Sequence, residues 1–172
     1  MNQSLLSVAF ITTCIPYSHA VIYMTEASAQ EEFFPGLAMS AHMHALTAPE
    51  IRLIRTRIGE SIPISPLLRY WQGPNGERMY VDAVIGKHDW IQYALGIRAD
   101  GHVCGLEILE YREAYGSEIR TSGWRHQFIG YPVQSAALLN QNIKTISGAT
   151  LSSRHVTEGV ERLMVIHELI RP

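Results

Sequence analysis

Ser147, Thr150, Ser152 and Ser153 put four hydroxyl side chains within seven positions, around Gly148 and Ala149, a pair with almost no side-chain bulk. A helical apolar pattern begins directly after them. The first N–H groups of a helix are unpaired and carry a partial positive charge, so a segment of this kind at a helix start suits a phosphate. Gly148 and Ala149 let the backbone approach an anion, and the hydroxyls can donate to it. No Gly-Lys-Ser/Thr follows, so this is not a nucleotide-binding P-loop. The same residues also suit an ordinary helix end capped by Ser or Thr. Elsewhere, Met39, His42, Met43 and His44 form a thioether and imidazole group of the type that suits copper, but the spacing brings no further ligands, and a half-exposed helix or loop is the plainer reading. Cys104 beside Gly105 reads as a small buried residue of a strand. Local spacing assembles no Ser-His-Asp or Cys-His arrangement.

Positioning such a segment needs a core. The chain has 172 residues, 47% of them hydrophobic and 17% charged, with 14 Lys+Arg against 16 Asp+Glu and a formal net charge of -2. That length fits one folded domain, and the balance of charge excludes a disordered tail protein and argues against a nucleic-acid binder. Its two cysteines make neither a disulfide scaffold nor a four-thiolate metal site. Residues 5–16 carry no charge and end near Tyr17-Ser18-His19-Ala20, the pattern of a secretory signal peptide cleaved after about Ala20, although no Lys or Arg precedes the apolar run. The run is shorter than the ~20 apolar residues of an ordinary membrane span. The expectation is an exported, periplasmic or cell-envelope protein, with residues 1–20 as signal, 21–66 as an N-terminal helical segment and 67–172 as the domain proper.

Thr25 and Glu26 open a first helix that ends at Phe33-Phe34-Pro35-Gly36. Thr47, Pro49 and Glu50 announce a second with a capping box, and Ile51, Ile54 and Ile58 share its apolar face before Gly59 stops it. From about Leu67 the period becomes two. Pro74-Asn75-Gly76 marks a hairpin, and alternating runs over 79–85, 91–97 and 103–109 complete an antiparallel meander of four strands. Residues 110–142 show few periodic cues and read as a functional loop rich in aromatics. Val156, Val160, Leu163, Met164 and His167 share one face of a C-terminal helix from about Ser152 to Ile170. Helices before and after a meander define an α+β fold.

The segment Ser147-Gly148-Ala149-Thr150 with Leu151-Ser152-Ser153 resembles the flavinylation motif of FMN-binding domains, which occur in subunits of the sodium-pumping quinone reductase, in Rnf-type electron-transport complexes and in exported redox proteins. Gly96 to Val103 and Leu109-Glu110-Tyr111-Arg112-Glu113 are similar to the family's central hairpin and its glutamate loop, and Trp124 with Gln127-Phe128 resembles its Trp-x-x-Gln-Phe element. The resemblance spans about residues 77–170. It implies FMN as cofactor, held through a phosphoester on Thr150 that a flavin transferase installs. Ser147, Gly148, Ala149, Leu151, Ser152, Ser153, Glu113 and Trp124 then lie at the cofactor site, with Tyr111, Tyr115 and Phe128 as further candidates to pack on the flavin ring. A flavin accepts one or two electrons while the protein binds and orients it, so the implied role is electron transfer with a membrane or haem partner. Two departures stand out: Lys144 replaces the usual Asp three residues before the Ser, and Glu113-Ala114-Tyr115-Gly116 replaces Glu-Thr-Pro-Gly. A non-redox accessory module without covalent flavin and a free-standing flavin reductase are the alternatives.

Overall fold

The computed structural model describes residues 21–112 and 115–171. The expected signal segment, residues 1–20, and Glu113 with Ala114 lie outside the described residues. Six antiparallel strands form one sheet in the order β1-β6-β5-β4-β3-β2: β1 (Val21–Ile22), β2 (Ser40–Ala45), β3 (Leu67–Gln72), β4 (Arg78–Ile85), β5 (Trp90–Ile97) and β6 (Val103–Tyr111). The four expected strands are its centre. The N-terminal segment carries, besides α1 (Glu26–Phe33) and α2 (Ala48–Ile58), the two added edge strands. Thr47 and Glu50 close the expected capping box of α2. The long α5 (Thr150–Ile170) follows two short helices, α3 (Ser122–Arg125) and α4 (Leu139–Asn142). Residues 110–142, expected as a loop, are mostly a succession of single helical turns after the end of β6.

The Met39–His44 group corrects an expectation. His42, Met43 and His44 lie on edge strand β2, not on a helix or loop. His42 stacks on Tyr70 at 5.3 Å, and His44 Nε2 lies 3.2 Å from Glu50 Oε1. Among the described residues, no three His, Cys, Asp or Glu side chains are grouped to hold a metal.

Helices cover both faces of the sheet. α5 lies across one, where Val156, Val160, Leu163 and Met164 meet Tyr80, Tyr93, Leu95 and Ile108. α1 lies on the other, over Met79, Val81, Ala94 and Leu109. On that second face Gly96 and Gly105 are register partners, and a Cβ on Gly105 would come within 2.2 Å of the Phe33 ring. The pair forms the hollow that seats α1. On the first face Gly159 lets α5 lie close to the sheet, since a Cβ there would stand 2.4 Å from Tyr93 Oη and 2.8 Å from Val84 Cγ1. Tyr93 cannot retreat: its hydroxyl donates to Asp82, which is paired with Arg162. A register shift between Gln92 and Tyr93 leaves Leu109 without a partner on β5. Such a bulge changes which face the next side chains take, and Tyr111 consequently joins the core beneath α5.

Two buried ionisable groups on α5 have opposite effects on stability. Burial, with Glu158 nearby, pushes Glu161 up to about 7, and Asn140 donates to its carboxylate. Burial, together with Arg78 and Arg171, pushes His167 down to about 4. As a neutral ring it accepts from Tyr80 Oη at 2.9 Å. Between about pH 4.5 and 7 the folded chain keeps a Glu161 proton that the unfolded chain releases, so this group lowers stability as pH rises. Between about 4 and 6.5 the unfolded chain takes up a His167 proton that the folded chain refuses, so this group raises stability as pH rises. Glu161→Gln should therefore leave stability climbing from pH 4 to 6.5, where the native chain is flatter, as read by urea midpoints across pH. Gly159→Ala should lower stability by about 1–2 kcal/mol in urea unfolding, because overpacking outweighs the ~1 kcal/mol that alanine gains in a helix.

Candidate functional site around the start of the last helix

The apolar stripe of α5 holds its length on the sheet, so its first turn is fixed in space while Thr150 and Leu151 remain exposed. The helix begins at Thr150, two residues ahead of the expected start, and its N-cap is Ala149. No side chain caps it and no acidic residue stands in its first turn. Serine and threonine are present in number, yet none is used as the cap. Gly148 takes φ +88°, a left-handed conformation that costs glycine nothing, and open space surrounds the place where a Cβ would be.

The four hydroxyls divide into two sets. Thr150 is exposed and its Oγ1 donates to the Ile146 carbonyl at 3.2 Å. Ser147 is exposed beside Gly148. Ser152 and Ser153 are buried. Ser153 Oγ donates to the Ala149 carbonyl at 2.8 Å and accepts the Ile146 N–H at 3.2 Å, which fastens the loop to the helix it precedes. Ser152 Oγ lies 3.1 Å from Tyr111 Oη. The Tyr111 hydroxyl donates to the Tyr115 carbonyl at 2.5 Å, so the Ser152 hydroxyl donates to Tyr111. Ala149 is buried and Leu151 exposed.

The loop after β6 is thereby drawn against the first turn of α5. Gly116, at φ +93°, sits so close that a Cβ would come 2.6 Å from Tyr111 Oη and 3.1 Å from Ser152 Oγ. Tyr115 is 86% exposed on this loop. Trp124, Tyr111 and Phe128, the other aromatics considered for ring packing, are core residues. Trp124 packs edge-on to Phe128 at 5.1 Å, and its Nε1–H donates to the Lys144 carbonyl at 2.9 Å. Gln127 Oε1 accepts the Lys144 N–H at 2.9 Å. Lys144 itself is exposed. Tyr111 and Gln127 are thus part of the site's frame, and neither could be assigned that task from spacing. The one available signal was a glutamine amide three residues after a tryptophan.

These features fit a phosphate-bearing cofactor: an accessible hydroxyl, uncapped helix N–H groups, an open glycine beside them, and no carboxylate in the first turn to repel an anion. A match to the FMN-binding domain family covers residues 86–165, which contain the β5–β6 hairpin, the Trp124 turn, the loop and most of α5. The match takes in less than half of the chain, and it supports FMN as the cofactor of this segment. The chain is similar to one component of the Na(+)-translocating ferredoxin:NAD(+) oxidoreductase complex of Acetobacterium woodii, 27% identical over 157 residues, covering 84% of this chain and 74% of that protein. No solved structure matches it.

Ser153→Ala should leave the half-buried Ile146 N–H without its acceptor. The expected cost is about 1–2 kcal/mol in urea unfolding, with faster amide exchange at Ile146 than at Val160.

Proposed function

We propose that this chain is an exported electron-transfer flavoprotein whose FMN is tethered through a phosphoester to Thr150. The observation that carries this reading is the exposed Thr150 hydroxyl on an uncapped helix turn, within the segment that matches FMN-binding domains. When bound, the flavin supplies one- and two-electron chemistry. The chain supplies the rest. Thr150 Oγ1 provides the ester oxygen, and the free N–H groups of the first turn face the phosphate charge. Ser147 and the open backbone at Gly148 line the approach. The loop around Tyr115 stands beside the same turn.

Joining a phosphate to an alcohol in water is uphill, so the donor must be an activated flavin anhydride of the dinucleotide class, handled by a flavin transferase. The Thr150 oxygen forms the new bond to the flavin-side phosphorus, the anhydride P–O bond breaks and releases the nucleoside monophosphate half of the donor, and the hydroxyl proton passes to solvent. A tether prevents loss of cofactor outside the cell, in keeping with the uncharged run at residues 5–16 and cleavage after about Ala20. The resemblance to one part of a multi-protein oxidoreductase complex supports membrane redox partners. Among the described residues, no helix is long and apolar enough to cross a membrane. Lys144 motivates a second reading, FMN held without a covalent bond, in which acid denaturation releases the flavin.

Protein made together with a flavin transferase should exceed the mass of its polypeptide by one flavin phosphate and fluoresce in a denaturing gel. Thr150→Ala should abolish both signals while the fold persists. Flavin that stays attached in that variant, or a native chain that carries none, would overturn the tether.

A further inference from the structure

The loop that presents Thr150 is held from outside by two side chains of one turn, and both grip the same residue. Trp124 Nε1–H donates to the carbonyl of Lys144 at 2.9 Å, and Gln127 Oε1 accepts its N–H at 2.9 Å. Gln127 Nε2 in turn donates to the Trp124 carbonyl at 3.3 Å, which ties the two clamping groups together. The clamp is rigid at its base: Trp124 and Phe128 are buried against each other, and Arg125, between them in sequence, pairs with Glu107 and donates to the Leu106 carbonyl on β6. Lys144 is exposed and precedes the left-handed turn at Gly148, in a stretch with no strand or helix of its own until Thr150. An exposed segment of that kind ordinarily samples many conformations. Here its backbone is fixed at Lys144 by the clamp and at Ile146 by Ser153, so Thr150 is met in one arrangement.

We propose that Trp124 and Gln127 are positioning residues for flavin attachment: they hold residues 144–149 in the conformation that a flavin transferase binds. This rests on the tether at Thr150 proposed above. A loop that is competent only part of the time binds more weakly by that fraction, without altering the bound complex. Loss of the clamp therefore acts on KM for the protein substrate and leaves kcat in place. A residue needed only for folding would instead lower the thermal midpoint and the amount of usable protein.

The test uses the full mature chain, a purified flavin transferase and flavin adenine dinucleotide, with attachment rates read from in-gel fluorescence over a range of chain concentrations. Gln127→Leu and Trp124→Phe should each raise KM about tenfold with kcat within about twofold, the effect of losing one hydrogen bond that orders the loop. Gln127→Glu, which keeps an oxygen for the Lys144 N–H, should restore most of the affinity. Amide exchange at residues 144–149 should accelerate about tenfold in Gln127→Leu and return in Gln127→Glu, a readout that needs no flavin. Native KM and native exchange in Gln127→Leu would overturn the proposal, as would a Gln127→Glu chain as impaired as Gln127→Leu. A native chain that takes no flavin, or a Thr150→Ala chain that does, overturns the tether itself and this proposal with it. That failure is visible before any change at Trp124 or Gln127 is made.

Discussion

An α-helix cannot pair the N–H groups of its own first turn, and the arrangement around residues 143–153 follows from how this chain treats those of α5. Among the described residues, the two other helices of eight residues or more take the usual course: Thr25 caps α1, and Thr47 caps α2 with Glu50 completing the box. α5 has Ala149 as N-cap, although hydroxyl residues stand at 145, 147, 150, 152 and 153. Ser153 is committed to the loop's own carbonyl and amide groups, Ser152 to Tyr111. Both serines are thus taken up by the loop and its neighbours, and no side chain caps the helix end. The buried serines serve the loop, while Thr145, Ser147 and Thr150 are exposed.

Keeping that turn in place falls to the sheet. α5 lies close because Gly159 admits the Tyr93 hydroxyl, and α1 seats on the opposite face because Gly96 and Gly105 make room for Phe33. With both faces loaded, the sheet cannot flex toward either helix without opening a packed contact on the other side. The bulge at Leu109 is the finer adjustment. It turns Tyr111 toward α5, and from there its hydroxyl joins the β6 loop to the first turn through Ser152 and Tyr115. A strand irregularity thus sets the geometry of a helix end.

Periodicity carried much of this fold. The central strands alternate strongly because Tyr93, Leu95 and Ile97 all face one helix, and Thr47-Ala48-Pro49-Glu50 states its own capping chemistry. β2 escaped because Ser40–Ala45 lies at the edge of the sheet, nearly all exposed, so no apolar alternation was required of it. Residues 110–142 escaped because turns of three or four residues are too short to show a helical period. Within the site, the motif at residues 147–153 was legible as a motif, but the inward turn of Ser152 and Ser153 was not. Which way a serine faces depends on partners at Ile146 and Tyr111 that no local pattern specifies. Likewise an aromatic such as Trp124 reads the same whether it packs on a ligand or in the core, and only its partners, Phe128 and the Lys144 carbonyl, decide.

Lys144 gains its meaning from the same contacts. The clamp holds the main chain at this position, through the N–H and the carbonyl, and leaves the side chain exposed. A lysine where relatives of this motif usually carry an aspartate therefore need not alter the loop's shape, since every residue except proline offers the same two backbone groups. What changes is charge: a cation in place of an anion, a few residues from a helix end that already favours anions. The departure thus falls on electrostatics, on how a phosphate or an incoming protein surface is received, while the architecture that presents Thr150 is left as the rest of the domain makes it.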